Sequence, residues 1–391
     1  MKIIFLFLIP AFLFSTDPDM DLLDYQNRYT LCHGKTNYQI TKCLLNGSIN
    51  YAFLHGDKPK KKPVDKETLY RAEMEGYLYP YVMNLLPQTR RYLGLLDYVD
   101  YLSSLTYDYL TPQFVGKDAE DIMRIKRIFN LLQNANLEEN PYYTQDFEAH
   151  LLDYQRRHGL TVDGKIGSQT KRSLRTPLSK RIEKVKKNLE LERVSLPKGD
   201  HYILVNIPEF KMHYYENYMP TLNMKVIVGK RKMRTPVFSR RLKYIVLNPR
   251  WNIPDNIYRK EYAHKSVEEL RKEGLVYNSK GKLYQPPGKR NALGVVKFLF
   301  PNKYNVYMHD TPAKYLFNRT VRAFSHGCIR LEKPLELLQR LGYEYNTRKN
   351  KWITVENQIP VFVEYHTVWI DDEGIVQFRP DIYGYEKKLF R

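Results

Sequence analysis

Cys328 is one of three cysteines in 391 residues, and it stands in the run Ser325-His326-Gly327-Cys328-Ile329-Arg330. Fifteen residues separate Ser325 from an upstream histidine, His309. A thiol attacks a carbonyl as the thiolate. An unperturbed cysteine, with a pKa of ~8.5, is only a few per cent ionised at neutral pH. Cys328 therefore needs a base, and His309, ending the strand-like run "NVYMHD", is placed where a loop can aim it. His326 lies two residues from the sulfur across a glycine, where side chains converge only in special turns, so it reads as a loop residue. Gly327 allows a tight turn and close approach of a substrate. The amides of Gly327 and Cys328 are natural donors to a tetrahedral oxyanion. Tyr307, two residues before His309, shares its strand face; its hydroxyl can join the oxyanion site or simply pack. Arg330 can grip a substrate carboxylate bidentately or tie down its own loop through backbone carbonyls. A histidine and a cysteine alone would leave a buried structural thiol as the default reading.

Positioning this pair requires strands. From His201 the sequence runs "YILVNIP", "FKMHYYE", "LNMKVIVG" and "LKYIVLNP", β-branched and aromatic segments divided by turn residues. The apolar period falls from about 3.6 to about 2 near residue 200, which places a domain boundary there. Between Trp251 and Val295 the strands pause. A short helical run, "YRKEYAHKSVEELRKEGL", and the loop "YQPPGKRNALG" form an insertion of the kind that makes a lid. Strands resume at "VKFLFP" and "YNVYMHD", a helix follows at Leu335–Leu341, and "KWITVE", "PVFVEYHTVWID" and "GIVQFRP" close the chain.

The preceding residues read as helical. "ETLYRAEMEGYLYPYVMNLL" and "YLGLLDYVDYLSSLTYDYL" have apolar residues at three- and four-residue spacing. Ile122, Ile125, Ile128, Leu131 and Leu132 line one helix, and Phe147, Leu151, Leu152 and Tyr154 a second, capped at Gly159. The turn "VDGKIG" leads to a third helix carrying Thr170 and Leu174. Leu178–Val194 is an amphipathic helix with Leu178, Ile182, Val185 and Leu189 on one face, read as a linker.

At the start, one lysine precedes an apolar run from Ile3 to Phe14. It is short of the ~20 residues that span a bilayer and fits a secretory signal peptide over residues 1–15. Left uncleaved, it would associate the chain with the inner membrane. Secretion makes a Cys32–Cys43 disulfide plausible and leaves Cys328 as the unpaired thiol. Lys+Arg outnumber Asp+Glu by 63 to 43, a net charge of +20. Such a surface suits polyanions, acidic wall polymers among them. Nucleotide-binding fingerprints and zinc-ligand clusters are absent from the sequence, and nucleic acid is not an expected partner.

Residues 117–175 resemble the peptidoglycan-binding domain of many cell-wall enzymes, through Gln155, His158, Gly159, Leu160, Asp163, Gly164, Ile166, Gly167, Thr170 and Leu174. Residues 200–391 resemble the L,D-transpeptidases of YkuD-like fold. The resemblance rests on H-x15-S-H-G-C-I-R together with "WNIP" (Trp251 to Pro254), "PPGKRNALGVVKF" (Pro286 to Phe298), "YMHDTP" and the tail from Pro360, in the order of the large periplasmic branch. Asp310 stands where many members have glycine, as in that branch, and His326 where the branch often has serine. The resemblance implies a multidomain α+β chain: an N-terminal helical region (16–115), a peptidoglycan-binding-like domain (116–178), a linker helix (179–199) and a mostly β, sandwich-like catalytic domain (200–391) with a lid at about 252–294. It implies Cys328 as nucleophile and His309 as base, with Gly327 completing the catalytic turn. Tyr307, Arg330, Ser325, His326 and Trp251 would line the substrate. No metal or nucleotide cofactor is expected.

The implied reaction is periplasmic. Cys328 forms a thioester on a donor tetrapeptide stem, and an acceptor stem resolves it as a 3→3 cross-link. Carbapenems acylate members of the family. Water as acceptor would make an L,D-carboxypeptidase, and a protein amine a wall-attachment enzyme. A wall-binding scaffold with a degenerate catalytic domain and a sortase-like enzyme are the further alternatives, the latter disfavoured because its arginine usually sits on a separate strand.

Overall fold

Where the apolar period changes near residue 200, the fold changes with it. In a computed structural model, described here over residues 20–105 and 118–390, the chain divides into two compact units. One holds the described residues of 20–54, 58–196 and 366–390; the other holds 55–57 and 197–365. The apolar run at 1–15 lies outside the described residues.

The first unit is helical: α1 (Leu22–Tyr29), α2 (Asn37–Asn46), α3 (Lys66–Met74), α4 (Leu78–Leu85), α5 (Arg90–Ser104), α6 (Asp118–Gln133), α7 (Gln145–Arg157), α8 (Ser168–Leu174) and α9 (Leu178–Val194). Asp21, Thr36, Thr89 and Thr144 cap their helices by accepting from an amide two or three positions into the helix, each cap contributing about 1 kcal/mol. The helical stretch expected across Glu67–Leu86 forms two helices, α3 and α4.

Helix α9 is no mere linker. It carries a fully buried ion pair, Arg193 to Glu190 at 3.0 Å. Glu190 also accepts from the amides of Leu31 (2.8 Å) and Ser48 (3.0 Å). Removing one partner would strand a buried charge, at about 3–5 kcal/mol. The segment so anchored contains the Cys32–Cys43 disulfide, with Cα atoms 6.0 Å apart. The peptidoglycan-binding-like residues mostly build this fold. The side chain of Gln155 is used up inside the turn, accepting from Asp163 and Gly164 amides and donating to Asp163 Oδ1 and the Lys165 carbonyl, all at 3.0 Å.

The tail, expected as the last strands of the catalytic domain, belongs to the helical unit instead. Its hairpin, Val368–Ile370 paired with Val376–Phe378, puts Val368, Ile370 and Phe378 into the same core as Leu95, Val99 and Leu189.

The second unit is mostly β. Its strands are β1 (Tyr202–Asn206), β2 (Lys211–Glu216), β3 (Met219–Gly229), β4 (Phe238–Arg241), β5 (Tyr244–Leu247), β6 (Trp251–Asn252), β7 (Val276–Tyr277), β8 (Leu283–Gln285), β9 (Val296–Leu299), β10 (Met308–His309), β11 (Ala323–Ser325), β12 (Ile329–Leu331), β13 (Lys351–Thr354) and β14 (Pro360–Glu364). The main sheet runs β13-β5-β9-β10-β12-β3-β2-β1-β14-β4, with β11 also on β3. The 11-residue β3 serves both halves. Its start pairs with β2 and its end, buried on both faces, with β12 and β11.

A three-residue clip completes this unit. Asp57 N–H donates to the Val237 carbonyl (2.8 Å) and Val237 N–H to the His55 carbonyl (2.9 Å). A Cβ on Gly56 would lie 2.1 Å from the Val237 oxygen, so only glycine fits between them. The Asp57 carboxylate then takes Arg240 (2.7 Å), Tyr304 Oη (2.9 Å) and Lys303 (3.2 Å).

The lid is the small sheet β6-β8-β7 with a helix at Val267–Lys272, started by a Ser266/Glu269 capping box. It has its own apolar core of Ile253, Ile257, Leu270, Leu275 and Leu283.

Candidate active site

The site follows from strand register. In the parallel pair β10–β12, Met308 opposes Ile329 and His309 opposes Arg330. The Ile329 amide donates to the Tyr307 carbonyl (3.0 Å), so one step back along the same register Tyr307 stands beside Cys328. Side chains alternate along a strand and register partners share a face. Tyr307, His309, Cys328 and Arg330 therefore lie on one face of the sheet. On the other side of β10, the antiparallel β9 places Lys297 opposite His309. Lys297, His309 and Arg330 form a row across three strands.

His309 is 4 % exposed. Its Nδ1 is hydrogen-bonded to the Asp310 carbonyl. A carbonyl only accepts, so Nδ1 carries the proton and Nε2 keeps the lone pair a base needs. The Asp310 side chain fixes that peptide: Oδ2 accepts from Val295 N–H (2.9 Å) and Oδ1 pairs with Lys314 (2.8 Å). An acid thus helps orient the histidine through its own backbone rather than through its carboxylate. Burial, then the Arg330 charge, pushes the His309 pKa down to about 3, with the bond to Asp310 opposing. Burial pushes the Cys328 thiol up, opposed by the Tyr307 amide, the Lys297 charge and the Tyr307 hydroxyl. The resting pair is thus neutral thiol and neutral imidazole. The thiol points at the Asn305 carbonyl, with Sγ···O at 3.8 Å.

The turn before the sulfur differs from expectation in one respect. Gly327 adopts φ +118°, a backbone conformation other residues enter only with strain, and Thr235 Oγ1 donates to its carbonyl (2.8 Å). Its amide, however, is already spent on Ser325 Oγ (3.1 Å). Ser325 Oγ in turn donates to the Cys328 carbonyl (2.5 Å). Ser325 therefore shapes the loop, at 1 % exposure, and does not line a substrate surface. The donors left for an oxyanion are the Cys328 amide and the Tyr307 hydroxyl. The latter stays protonated because burial and the neighbouring sulfur hold its pKa well above the usual range.

Arg330 settles between its two expected uses. Its Nε is buried with no hydrogen-bond partner. The loop-tying work falls to a residue not anticipated, Arg322, which donates to the carbonyls of Val226 (3.3 Å), Phe210 (2.9 Å) and Arg319 (2.8 Å). Arg330 is left able to receive a carboxylate. His326 points away from the sulfur, its Nε2 bonded to Glu261 Oε1 of the lid at 2.5 Å. Trp251 packs half-buried against the lid's apolar core. Lys297, like Arg322, carries no local signal of its place. Within "VKFL" it looks like an ordinary outward-facing polar position, and only long-range register puts it beside the histidine.

These shifts fix a pH profile. A base whose folded pKa is near 3 is unprotonated throughout the neutral range, and the thiol ionises only above its ordinary value. A reaction in which His309 takes the Cys328 proton is expected to have a level kcat/KM from about pH 5 to about pH 8, without a limb near 6.5. A limb at 6.5 would show a solvated His309. The same shift makes acid destabilising. The unfolded chain binds a proton at His309 that the folded chain refuses, so this contribution is present above about pH 6.5 and is lost as pH falls from there toward 3.

A buried histidine, a thiol preceded by a positive-φ glycine and an arginine whose buried Nε has no hydrogen-bond partner thus share one face of a mostly β sheet. Residues 200–361 match the profile of the YkuD L,D-transpeptidase catalytic domain, and residues 118–174 that of the PG_binding_1 peptidoglycan binding domain. A Haemophilus influenzae protein provisionally named an L,D-transpeptidase is 30% identical over 336 residues, which cover 76% of this chain and 68% of the relative. The chain belongs to the L,D-transpeptidase family. Similar solved structures include an L,D-transpeptidase from Stackebrandtia nassauensis, at 14% identity, TM-score 0.28, 66% of this chain and 97% of that one. Another is the L,D-transpeptidase from Mycobacterium smegmatis, at 15% identity, TM-score 0.26, 42% of this chain and 58% of that one. This chain thus spans less than two thirds of the M. smegmatis chain.

Proposed function

We propose that the protein is a peptidoglycan L,D-transpeptidase that forms 3→3 cross-links through a thioester on Cys328. The observation that carries this reading is the single sheet face shared by Tyr307, His309, Cys328 and Arg330. In the first step the sulfur bonds to the carbonyl carbon of the third residue of a tetrapeptide stem. The amide to the terminal D-alanine breaks, and the thiol proton passes through His309 Nε2 to the departing amine. Tyr307 Oη and the Cys328 amide hold the tetrahedral oxygen. Arg330 takes a stem carboxylate. In the second step a side-chain amine of another stem attacks the thioester, its proton returns through His309 to sulfur, and a new amide replaces the C–S bond. No step needs a metal or nucleotide. The peptidoglycan-binding domain supports a wall-associated location outside the cytoplasm, in keeping with the signal-like run at 1–15.

Mass spectrometry of the products from disaccharide tetrapeptides tests the acceptor. Dimers lacking one D-alanine are expected. Tripeptides alone would replace the reading with L,D-carboxypeptidase.

A further inference from the structure

Lys297 is a half-buried cation on the sheet face that carries the site. It lies on β9 directly opposite His309. Its ammonium sits 3.8 Å from the centroid of the Tyr307 ring, and it forms no ion pair with a carboxylate among the described residues. Taking an ammonium out of water without a counter-charge is costly, and a cation–π contact recovers only about 0.5–2 kcal/mol. The ring it rests on belongs to the residue beside Cys328, so the anion this site is built for is one that appears at the sulfur. The usual partner of a catalytic thiolate, an imidazolium, is not available in the resting enzyme, because buried His309 is neutral.

We propose that Lys297 is the counter-charge of the Cys328 sulfur: it stabilises the thiolate as the proton leaves for His309 and again when the thioester collapses. Lys297 faces the sulfur from β9, Tyr307 and His309 from β10, and Arg330 from β12. Lys297 and Arg330 carry their charge before the proton moves, whereas His309 becomes a cation only once it has taken the proton. Arg330, with a free carboxylate-binding fork, is assigned to substrate, which leaves Lys297 to the nucleophile. The direction of the electrostatics agrees, since the Lys297 and Arg330 charges both draw the thiol downward and the sulfur draws both cations upward against their burial. The inference rests on Cys328 being the nucleophile.

The test reads the sulfur alone. Iodoacetamide is uncharged and carries no carboxylate, so its rate of alkylation at Cys328, followed by intact mass from about pH 6 to about pH 10, reports thiolate formation without substrate binding. In Lys297→Met the rate at pH 7.5 is expected to fall by about tenfold or more and the midpoint to move to higher pH. Lys297→Arg, which keeps the charge, should recover most of the rate. Lys297→Gln, polar and of similar length, should behave as Met and covers the case in which Lys297→Met does not fold. Superimposable profiles for wild type, Met and Gln would overturn the proposal. So would a variant with unchanged alkylation but a raised KM for tetrapeptide, which would make Lys297 a substrate carboxylate ligand. Failure of the cross-linking reading looks different: Cys328 would still alkylate, while no stem thioester formed in wild type.

Discussion

Cys328→Ala is expected to abolish turnover of disaccharide tetrapeptides, with a loss on the order of 10⁶-fold in kcat, the scale on which removal of a nucleophile acts in acyl-transfer enzymes. No other residue can substitute. The remaining two cysteines are joined in a disulfide, and Cys328 is the free thiol of the chain. The substitution removes a half-buried sulfur whose bond goes to a backbone carbonyl, so the fold should survive, and an unchanged thermal midpoint is the control. Intact mass after exposure to a carbapenem gives a second readout. One adduct should form on the wild type and none on Cys328→Ala. An adduct that persisted in the variant would move the reactive site elsewhere.

The next largest effect is expected at His309. In His309→Asn the side-chain Nδ2 stands where Nδ1 stood and can still donate to the Asp310 carbonyl, so the loop keeps its geometry while the base disappears. The rate of acylation should fall by about 10²–10⁴-fold, the usual contribution of a positioned general base. A rise in rate at alkaline pH should remain, because hydroxide can still generate thiolate. A variant within about threefold of wild type at pH 7 would remove His309 from the mechanism. Together with the level pH profile of the wild type, this separates a buried neutral base from a preformed thiolate–imidazolium pair.

Much of this site could be read from the sequence because its chemistry is local. Gly327 and Cys328 are consecutive, and Tyr307 and His309 differ by the strand period of two, so their shared face followed from residue spacing alone. What could not be read depended on distant partners. Lys297 acquires its meaning from the antiparallel register of β9 against β10. The amide of Gly327 looked free because the competing acceptor was a serine hydroxyl two residues away, and such a side-chain capture depends on the turn actually formed. Helix α9 reads from its sequence as an amphipathic linker. Its Arg193 and Glu190 are buried only because α5 and the Leu31–Ser48 segment close over them. The tail from Val368 has strand-like composition, and composition does not say which core a hairpin joins.

The path of the chain between its two units has a consequence for its biosynthesis. Residues emerge from the N-terminus, and domains ordinarily complete in that order. Here the unit encoded first must finish last. The catalytic sheet has all its strands once residue 365 is available, whereas the helical core still lacks Val368, Ile370 and Phe378. A chain ending early would carry an assembled catalytic sheet and a helical core with an open apolar surface. A fragment beginning at residue 197 would lose the opposite piece, the Asp57 carboxylate that gathers Arg240, Lys303 and Tyr304 next to the Asn305 carbonyl on which the thiol rests. No single cut separates these two units and leaves both whole.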